Sequence, residues 1–433
     1  MEKTIRGFQA NRPRPKVSGR VNIPPSKSHT IRALLIAAYA NGQSRLGSPL
    51  VSKDALSCRK AVEALGAQVE NDGEDWLVTG FGPVSPATCP HINVGNSGTT
   101  LYLTAALAAL SAEPVYFDGD SQIRRRTAQP LLAALRTLGA AIEEAPGGCA
   151  PFTVRGPLRP GTAEVECPVS QYLSGLLLAA PLIQPEDGKA STKIHIRTLN
   201  EAPYVELTLD WLKHQGIAYK QQGWDCFDLP AGQRYTPFER RIPADWSSAT
   251  FFLCAAAITG GTLTLEGLDI NDSQGDKVVL GMLQSMGCEW QAVPGGITFQ
   301  GRPLRGMEHN LNAVPDALPA LAAAACFAEG ETRLLNVPQA RMKETDRIAV
   351  MTSELRKLGA EIEELEDGMV IRGTGGAALK GGTVNGHHDH RVVMALAAAA
   401  PACEGGLTIT GAEAASITFP GFFECLEEVL NNE

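Results

Sequence analysis

The chain has 433 residues, 44% apolar and 20% charged, with a formal charge of −9. That length exceeds what one hydrophobic core usually serves, so two domains of roughly 200 residues each are expected. The acidic balance argues against a nucleic-acid or anionic-membrane partner, since both need a basic face, but a local Arg/Lys cluster can still bind a small anion.

MEKTIRGFQANRPRPK at the N-terminus does not read as a secretory segment, and ten cysteines are scattered singly with no C-x-x-C pair. Both features point to buried thiols in a reducing cytoplasm rather than to disulfides or zinc. The longest apolar run, near Leu101–Ser111, is too short to span a bilayer.

Along the chain a polar or charged start precedes a small-residue helix six times. The copies are SKSHTIRALLIAAYANG, GNSGTTLYLTAALAAL, VSQYLSGLLLAAPL, DWSSATFFLCAAAITGG, PDALPALAAAACFAEG and DHRVVMALAAAAPACEGG. Alanine-rich helices without a charged face belong in a core. Between them, Leu65-Gly66-Ala67, Gln215-Gly216-Ile217, Met286-Gly287-Cys288, Leu138-Gly139-Ala140 and Leu358-Gly359-Ala360 each end an amphipathic helix, and an alternating strand follows. These glycines recur about every 72 residues. A sixth would fall near residue 431, where the sequence stops in the helix-like FFECLEEVL.

The pattern predicts six β/α units, three per domain, with a seam near Phe238–Ile242, where FERRIP interrupts it. The expected domains are residues 23–240, and 1–22 with 241–433. The N-terminal segment is assigned to the second domain because its truncated sixth unit lacks a strand.

Helix N-termini carry unpaired N–H groups and a positive dipole end, so they suit anions. Ser247 and Ser248 read as simple caps. Lys27, Arg32 and Arg391 do not, because a cation at a helix start is unfavourable unless an anion sits there. Arg124, Arg125 and Arg126 cluster between a strand and a helix; a solvated turn accounts for two of them and leaves one as a candidate ligand. NVPQARMKETDRIAVMTSEL interleaves Arg341, Lys343, Glu344, Asp346 and Arg347, a density of charge beyond what capping by Thr345 or Asp346 needs. HHDH at His387–His390 invites a metal, but four consecutive residues cannot all converge from one turn, and no metal is expected.

SKSHTIRALLIAA, GNSGTT, IRRRT, VSQYLSGLL, PDALPALA, KETDR and DHRVVMA occur in this order, and together they resemble the motifs of the 5-enolpyruvylshikimate-3-phosphate synthase family. The resemblance spans essentially the whole chain. It implies an α/β, two-domain enolpyruvyl transferase fold: six repeated βαβαββ units, three per domain, with helix N-termini facing an interdomain cleft. It implies transfer of the enolpyruvyl group of phosphoenolpyruvate to the 5-hydroxyl of shikimate 3-phosphate with release of phosphate, without a metal or organic cofactor. By the same resemblance Lys27, Gly98, Arg126, Gln171, Arg347 and Arg391 meet phosphoenolpyruvate. Lys27, Ser28, Arg32, Ser170, Gln171, Tyr204, Asp316, Gln339 and Lys343 meet the acceptor. Asp316 is the candidate base for the acceptor hydroxyl and Glu344 the acid for the methylene carbon; Lys27 or His390 assists at the departing phosphate. A cytoplasmic monomer that closes its two domains on its ligands is expected.

Several positions depart from the family pattern. Val169 and Glu201 replace serines on the acceptor-phosphate side, and Ile417 replaces a lysine on the phosphoenolpyruvate side. Tyr102 replaces an arginine, Thr127 a proline and Gln339 an asparagine. Two further readings therefore stand beside the first: an enolpyruvyl transferase for a different hydroxylated acceptor, and a non-catalytic anion-binding paralogue. The presence of both Asp316 and Glu344 weighs against the latter.

Overall fold

The computed structural model describes residues 1–9, 14–186, 188 and 190–430, so the element expected near residue 431 lies outside the described residues. The chain divides into two compact units, Met1–Ser26 with Pro243–Glu433, and Lys27–Ile242. Residues 23 to 26 belong to the first of these because Ile23 N–H donates to Glu266 O (3.2 Å) and Ser26 N–H to Pro243 O (2.7 Å). Arg241 and Ile242 belong to the second, where Arg241 pairs with Gly47 and Ile242 N–H donates to Gly47 O at 2.8 Å. The sequence-drawn limits at 23 and 240 thus differ from this division by a few residues.

One motif builds both units. In the Lys27–Ile242 unit, strand His91–Asn93 leads through helix Gly98–Ala108 to the parallel strand Val115–Asp118. Helix Gln129–Thr137 follows, then the antiparallel pair Ala141–Glu144 and Phe152–Arg155. The helices are the crossovers that parallel neighbours require. The same βαβαββ order recurs from Thr162 to Pro230, and in the other unit from Glu308 to Arg372.

The remaining three repeats draw on distant strands. Asn41–Gly47 takes Glu239–Arg241 as its parallel edge, and Thr262–Glu266 takes Gly19–Asn22. Leu407–Thr410 pairs with Gly382–Asn385 on one side and with the N-terminal strand Glu2–Ile5, antiparallel, on the other. Among the described residues this gives five four-stranded sheets and one of three strands.

Glycine closes the outer helices for a conformational reason. Helix Arg347–Lys357 is followed by Leu358 and then Gly359 at φ +90°, and helix Lys53–Ala64 by Leu65 and Gly66 at φ +110°. A side chain is strained in this region, and glycine is not. The chain reverses there into strands Glu361–Leu365 and Gln68–Asp72.

The six small-residue helices are Lys27–Ala38, Gly98–Ala108, Gln171–Ala179, Trp246–Thr259, Leu318–Ala325 and His390–Ala399. They are buried nearly all round, three in the core of each unit. Small residues let them approach closely: a Cβ on Gly175 would stand 2.9 Å from Tyr102 O of the neighbouring helix. Among the described residues no helix is long and apolar enough to cross a membrane.

Candidate active site

In the unit containing residues 243–430 the candidate residues meet around one guanidinium. Asp346 caps helix Arg347–Lys357 by accepting from Ala349 N–H (3.0 Å), which fixes Arg347 as its first residue. Arg347 is 1% exposed. Its Nε donates to Asp389 Oδ2 (2.9 Å), Nη2 to Asp389 Oδ1 (3.2 Å), and Nη1 to Asp316 Oδ1 (2.7 Å). Nη2 also forms a close ion pair with Glu344 Oε2. Three carboxylates thus share one planar cation, whose fork suits carboxylate and phosphate alike.

Arg391 is the second cation. Its Nη2 lies 2.8 Å from Asp316 Oδ2, and its Nη1 donates to Ser247 Oγ at 2.6 Å. Asp316 therefore bridges two guanidiniums. Asp389 caps helix His390–Ala399 through Arg391 N–H at 2.9 Å and also accepts from Thr345 Oγ1 at 3.0 Å. Burial alone would raise the Asp389 pKa, but Arg347 outweighs it and holds this carboxyl below its ordinary range. The same carboxylates hold Arg347 more firmly protonated than usual against its own burial.

His390 is buried beside this network, its Nδ1 4.0 Å from Asp389 Oδ1. The other histidines of HHDH diverge from it. His387 Nε2 turns to Glu354 Oε1 (2.8 Å), and His388 is exposed. Ligand atoms of Glu344, Asp389 and His390 lie within 4.8 Å of one another. A dication placed there would face Arg347 at hydrogen-bond range and compete for Asp389 oxygens already bonded to it, so the donor set fits an ion-pair network better than a metal centre.

Lys343 is half-buried after the 3₁₀ turn Pro338–Met342, and Gln339 is buried within that turn, with Nε2 donating to Asn312 O at 2.9 Å. Arg341 is tied to Asp346 and Glu364 and serves the turn itself. Ile417 is packed in the core of this unit.

The Lys27–Ile242 unit brings together the other candidates. Lys27 opens its helix with Nζ 3.1 Å from Asp54 Oδ2, at 14% and 6% side-chain exposure. Ser28 is half-buried on the same turn. Arg32 turns inward: its Nε donates to Thr208 Oγ1 (2.8 Å), Nη2 to Tyr204 O (3.0 Å) and Ser174 Oγ (3.3 Å), and Nη1 to Ser28 O (3.2 Å). These four acceptors are neutral, and burial lowers its pKa to about 10, so it stays protonated at neutral pH. Arg32 ties three helices together, an internal role that its place near a helix start did not suggest.

Gly98 and Arg126 are in contact, because a Cβ on Gly98 would lie 2.8 Å from Arg126 Nη1. Of the arginine cluster, Arg124 grips Asp118 through Nε (2.9 Å) and Nη2 (2.6 Å), Arg125 is exposed and Arg126 is half-buried. Gln171 begins the helix that follows Ser170. Glu201, buried at φ +60°, points at Ser170 and accepts from its Oγ (2.8 Å) and its N–H (3.2 Å). Tyr204 lies in the first turn of the helix that follows. Val169 is a core residue.

Sequence reasoning passed over three residues. Ser247 is not the cap of helix Trp246–Thr259; Asp245 is, accepting from Ser248 N–H at 3.1 Å, and Ser247 instead meets Arg391. Asp389, the hub under Arg347, stood in the DHR motif with no role of its own. Asp54 carried no signal, since its partner Lys27 is distant in sequence.

The family described as EPSP synthase (3-phosphoshikimate 1-carboxyvinyltransferase) matches residues 11–426. A 3-phosphoshikimate 1-carboxyvinyltransferase from Acetivibrio thermocellus is 49% identical over 412 residues, covering 95% of this chain and 96% of the relative. The one from Ruminiclostridium cellulolyticum is 47% identical with the same coverage. A solved structure of EPSP synthase from Acinetobacter baumannii superposes with a TM-score of 0.80 at 27% identity, over 99% of this chain and 98% of that one.

Proposed function

Because the chain belongs to the EPSP synthase family, we propose that it transfers the enolpyruvyl group of phosphoenolpyruvate to the 5-hydroxyl of shikimate 3-phosphate and releases phosphate. The observation that carries the chemistry is the Arg347 network, in which two cations suited to an oxyanion are interleaved with the candidate acid and base. The proposed phosphoenolpyruvate ligands are Lys27, Gly98, Arg126, Gln171, Arg347 and Arg391. The proposed acceptor ligands are Lys27, Ser28, Arg32, Ser170, Gln171, Tyr204, Asp316, Gln339 and Lys343.

Asp316 takes the proton of the acceptor hydroxyl as its oxygen bonds to C2 of phosphoenolpyruvate. Glu344 delivers a proton to C3, which gives a tetrahedral intermediate. Glu344 then takes one proton back from the new methyl group, the C2–O bond to phosphate breaks, and the vinyl ether forms. The hydroxyl proton leaves with phosphate, helped by Lys27 or His390, so atoms and charge balance. An incoming anion that competes for Arg347 would free Glu344 to take up a proton from solvent, the proton it delivers to C3 and recovers in the elimination. The chain's own groups complete this scheme without a cofactor.

Glu201 bears on the acceptor. Its carboxylate is engaged by Ser170, which supports a site that tolerates an acceptor phosphate despite the acidic residue. Product analysis by NMR tests this choice: the vinyl ether should form from shikimate 3-phosphate. Turnover with unphosphorylated shikimate alone would favour the different-acceptor reading, and no turnover with either would favour the binding paralogue. The protein is proposed to work as a cytoplasmic monomer, without nucleic-acid or membrane partners.

A further inference from the structure

We propose that Tyr102 and Tyr172 are a positioning pair for Arg126, fixing the backbone of the next residue through the Thr127 carbonyl so that the Arg126 guanidinium meets phosphoenolpyruvate; this rests on reading Arg126 as a ligand of that anion. Tyr102 belongs to helix Gly98–Ala108 and Tyr172 to helix Gln171–Ala179. The close approach of these helices at Gly175 sets the two rings edge to face, with centroids 5.0 Å apart at 86°. Both hydroxyls then donate to the same oxygen: Tyr172 Oη to Thr127 O at 2.6 Å and Tyr102 Oη at 3.2 Å. A carbonyl has two lone pairs, and two phenols fill them.

Thr127 is held from its side chain as well. Its Oγ1 donates to Gly147 O (2.7 Å) and accepts from Gln129 N–H (3.1 Å). On the other side of Arg126, its own N–H donates to Ile123 O at 3.1 Å. Arg126 thus stands between two fixed peptide groups. The ring of Tyr102 also reaches the guanidinium's contact surface, because the Cβ absent from Gly98 would lie 3.5 Å from Tyr102 Cε2 and 2.8 Å from Arg126 Nη1. Tyr172 directly follows Gln171, another proposed ligand. One ring pair therefore links three segments that carry ligand residues.

Packing alone does not account for the hydroxyls. Tyr102 and Tyr172 are 5% and 1% exposed, and phenylalanine would fill the same space without burying a polar atom. Burial keeps the Tyr172 hydroxyl protonated far above neutral pH, as a permanent donor.

Steady-state kinetics of Tyr102→Phe, Tyr172→Phe and the double variant test this, with Arg126→Ala as reference. The double variant should raise the KM for phosphoenolpyruvate about tenfold, as expected for losing one to two hydrogen bonds. Its kcat and its KM for shikimate 3-phosphate should stay within about twofold of wild type, a split that a purely structural role would not produce. If the double variant does not fold, Tyr102→Phe, which removes the longer bond, should still show a smaller rise of the same kind. An unchanged phosphoenolpyruvate KM beside a large rise in Arg126→Ala overturns the positioning pair and leaves Arg126 as a ligand. An unchanged KM in Arg126→Ala itself overturns the ligand reading on which the pair rests.

Discussion

At the scale of single residues, the site is defined by how one guanidinium is shared. Arg347 holds Asp316, Glu344 and Asp389 at once, and Arg391 takes the second oxygen of Asp316. Glu344→Gln keeps the size and a hydrogen bond but cannot carry a proton to carbon. Its kcat should fall by about 10²–10⁴-fold, the usual share of a general acid or base, with ligand affinity measured by titration little changed. A variant with near-normal kcat would remove Glu344 from the mechanism. Gly98→Ala places a methyl 2.8 Å from Arg126 Nη1. The guanidinium must shift, so the KM for phosphoenolpyruvate should rise more than that of the acceptor; an equal rise in both would point to a general defect. These residues were legible because KETDR and DHR group unlike charges where capping does not need them, and SKS sets a lone cation at a helix start. The inward course of Arg32 onto Thr208, Tyr204 and Ser174 was not legible, because sequence shows which turn a cation occupies and not which way its side chain runs.

At the scale of elements, the repeated unit positions the candidate residues. A strand feeds a buried helix, and the turn before that helix carries the polar residues. The L-G-A glycines were readable because a left-handed residue after a helix is a local backbone demand, as at Gly359. The partner of Ser247 was not, because Arg391 is 144 residues away along the chain. Asp389 couples this element to stability. Its folded-state pKa lies below the ordinary carboxylate value, so its contribution is present above that value and is lost as pH falls through the lowered one. Asp389→Asn leaves Arg347 with less compensation and should destabilise by about 3–5 kcal/mol near neutral pH, as for a broken buried pair. In urea melts the gap from wild type should shrink as pH falls below about 4. A gap that stays constant to low pH would show that ionisation of Asp389 does not stabilise the fold.

At the scale of the molecule, the two units are built by the same repeat but close it with borrowed strands. Gly19–Asn22 and Glu239–Arg241 each pair with a strand far along the chain, and Glu2–Ile5 lies against Leu407–Thr410. Strands of three or four residues carry too little alternation to assign their partners from sequence, whereas the six buried helices were plain from composition. Each unit has its own core, so no second copy is required to bury apolar surface. Sedimentation should therefore give a single species of 45.9 kDa, and a concentration-independent dimer would contradict the proposed monomer. The central claim is that the C2–O bond of phosphoenolpyruvate breaks while the acceptor gains an enolpyruvyl ether. Phosphoenolpyruvate carrying ¹⁸O at the bridging oxygen, turned over with shikimate 3-phosphate, tests this most directly. The account predicts that the label appears in the released phosphate; label in free pyruvate, with no ether formed, would contradict it.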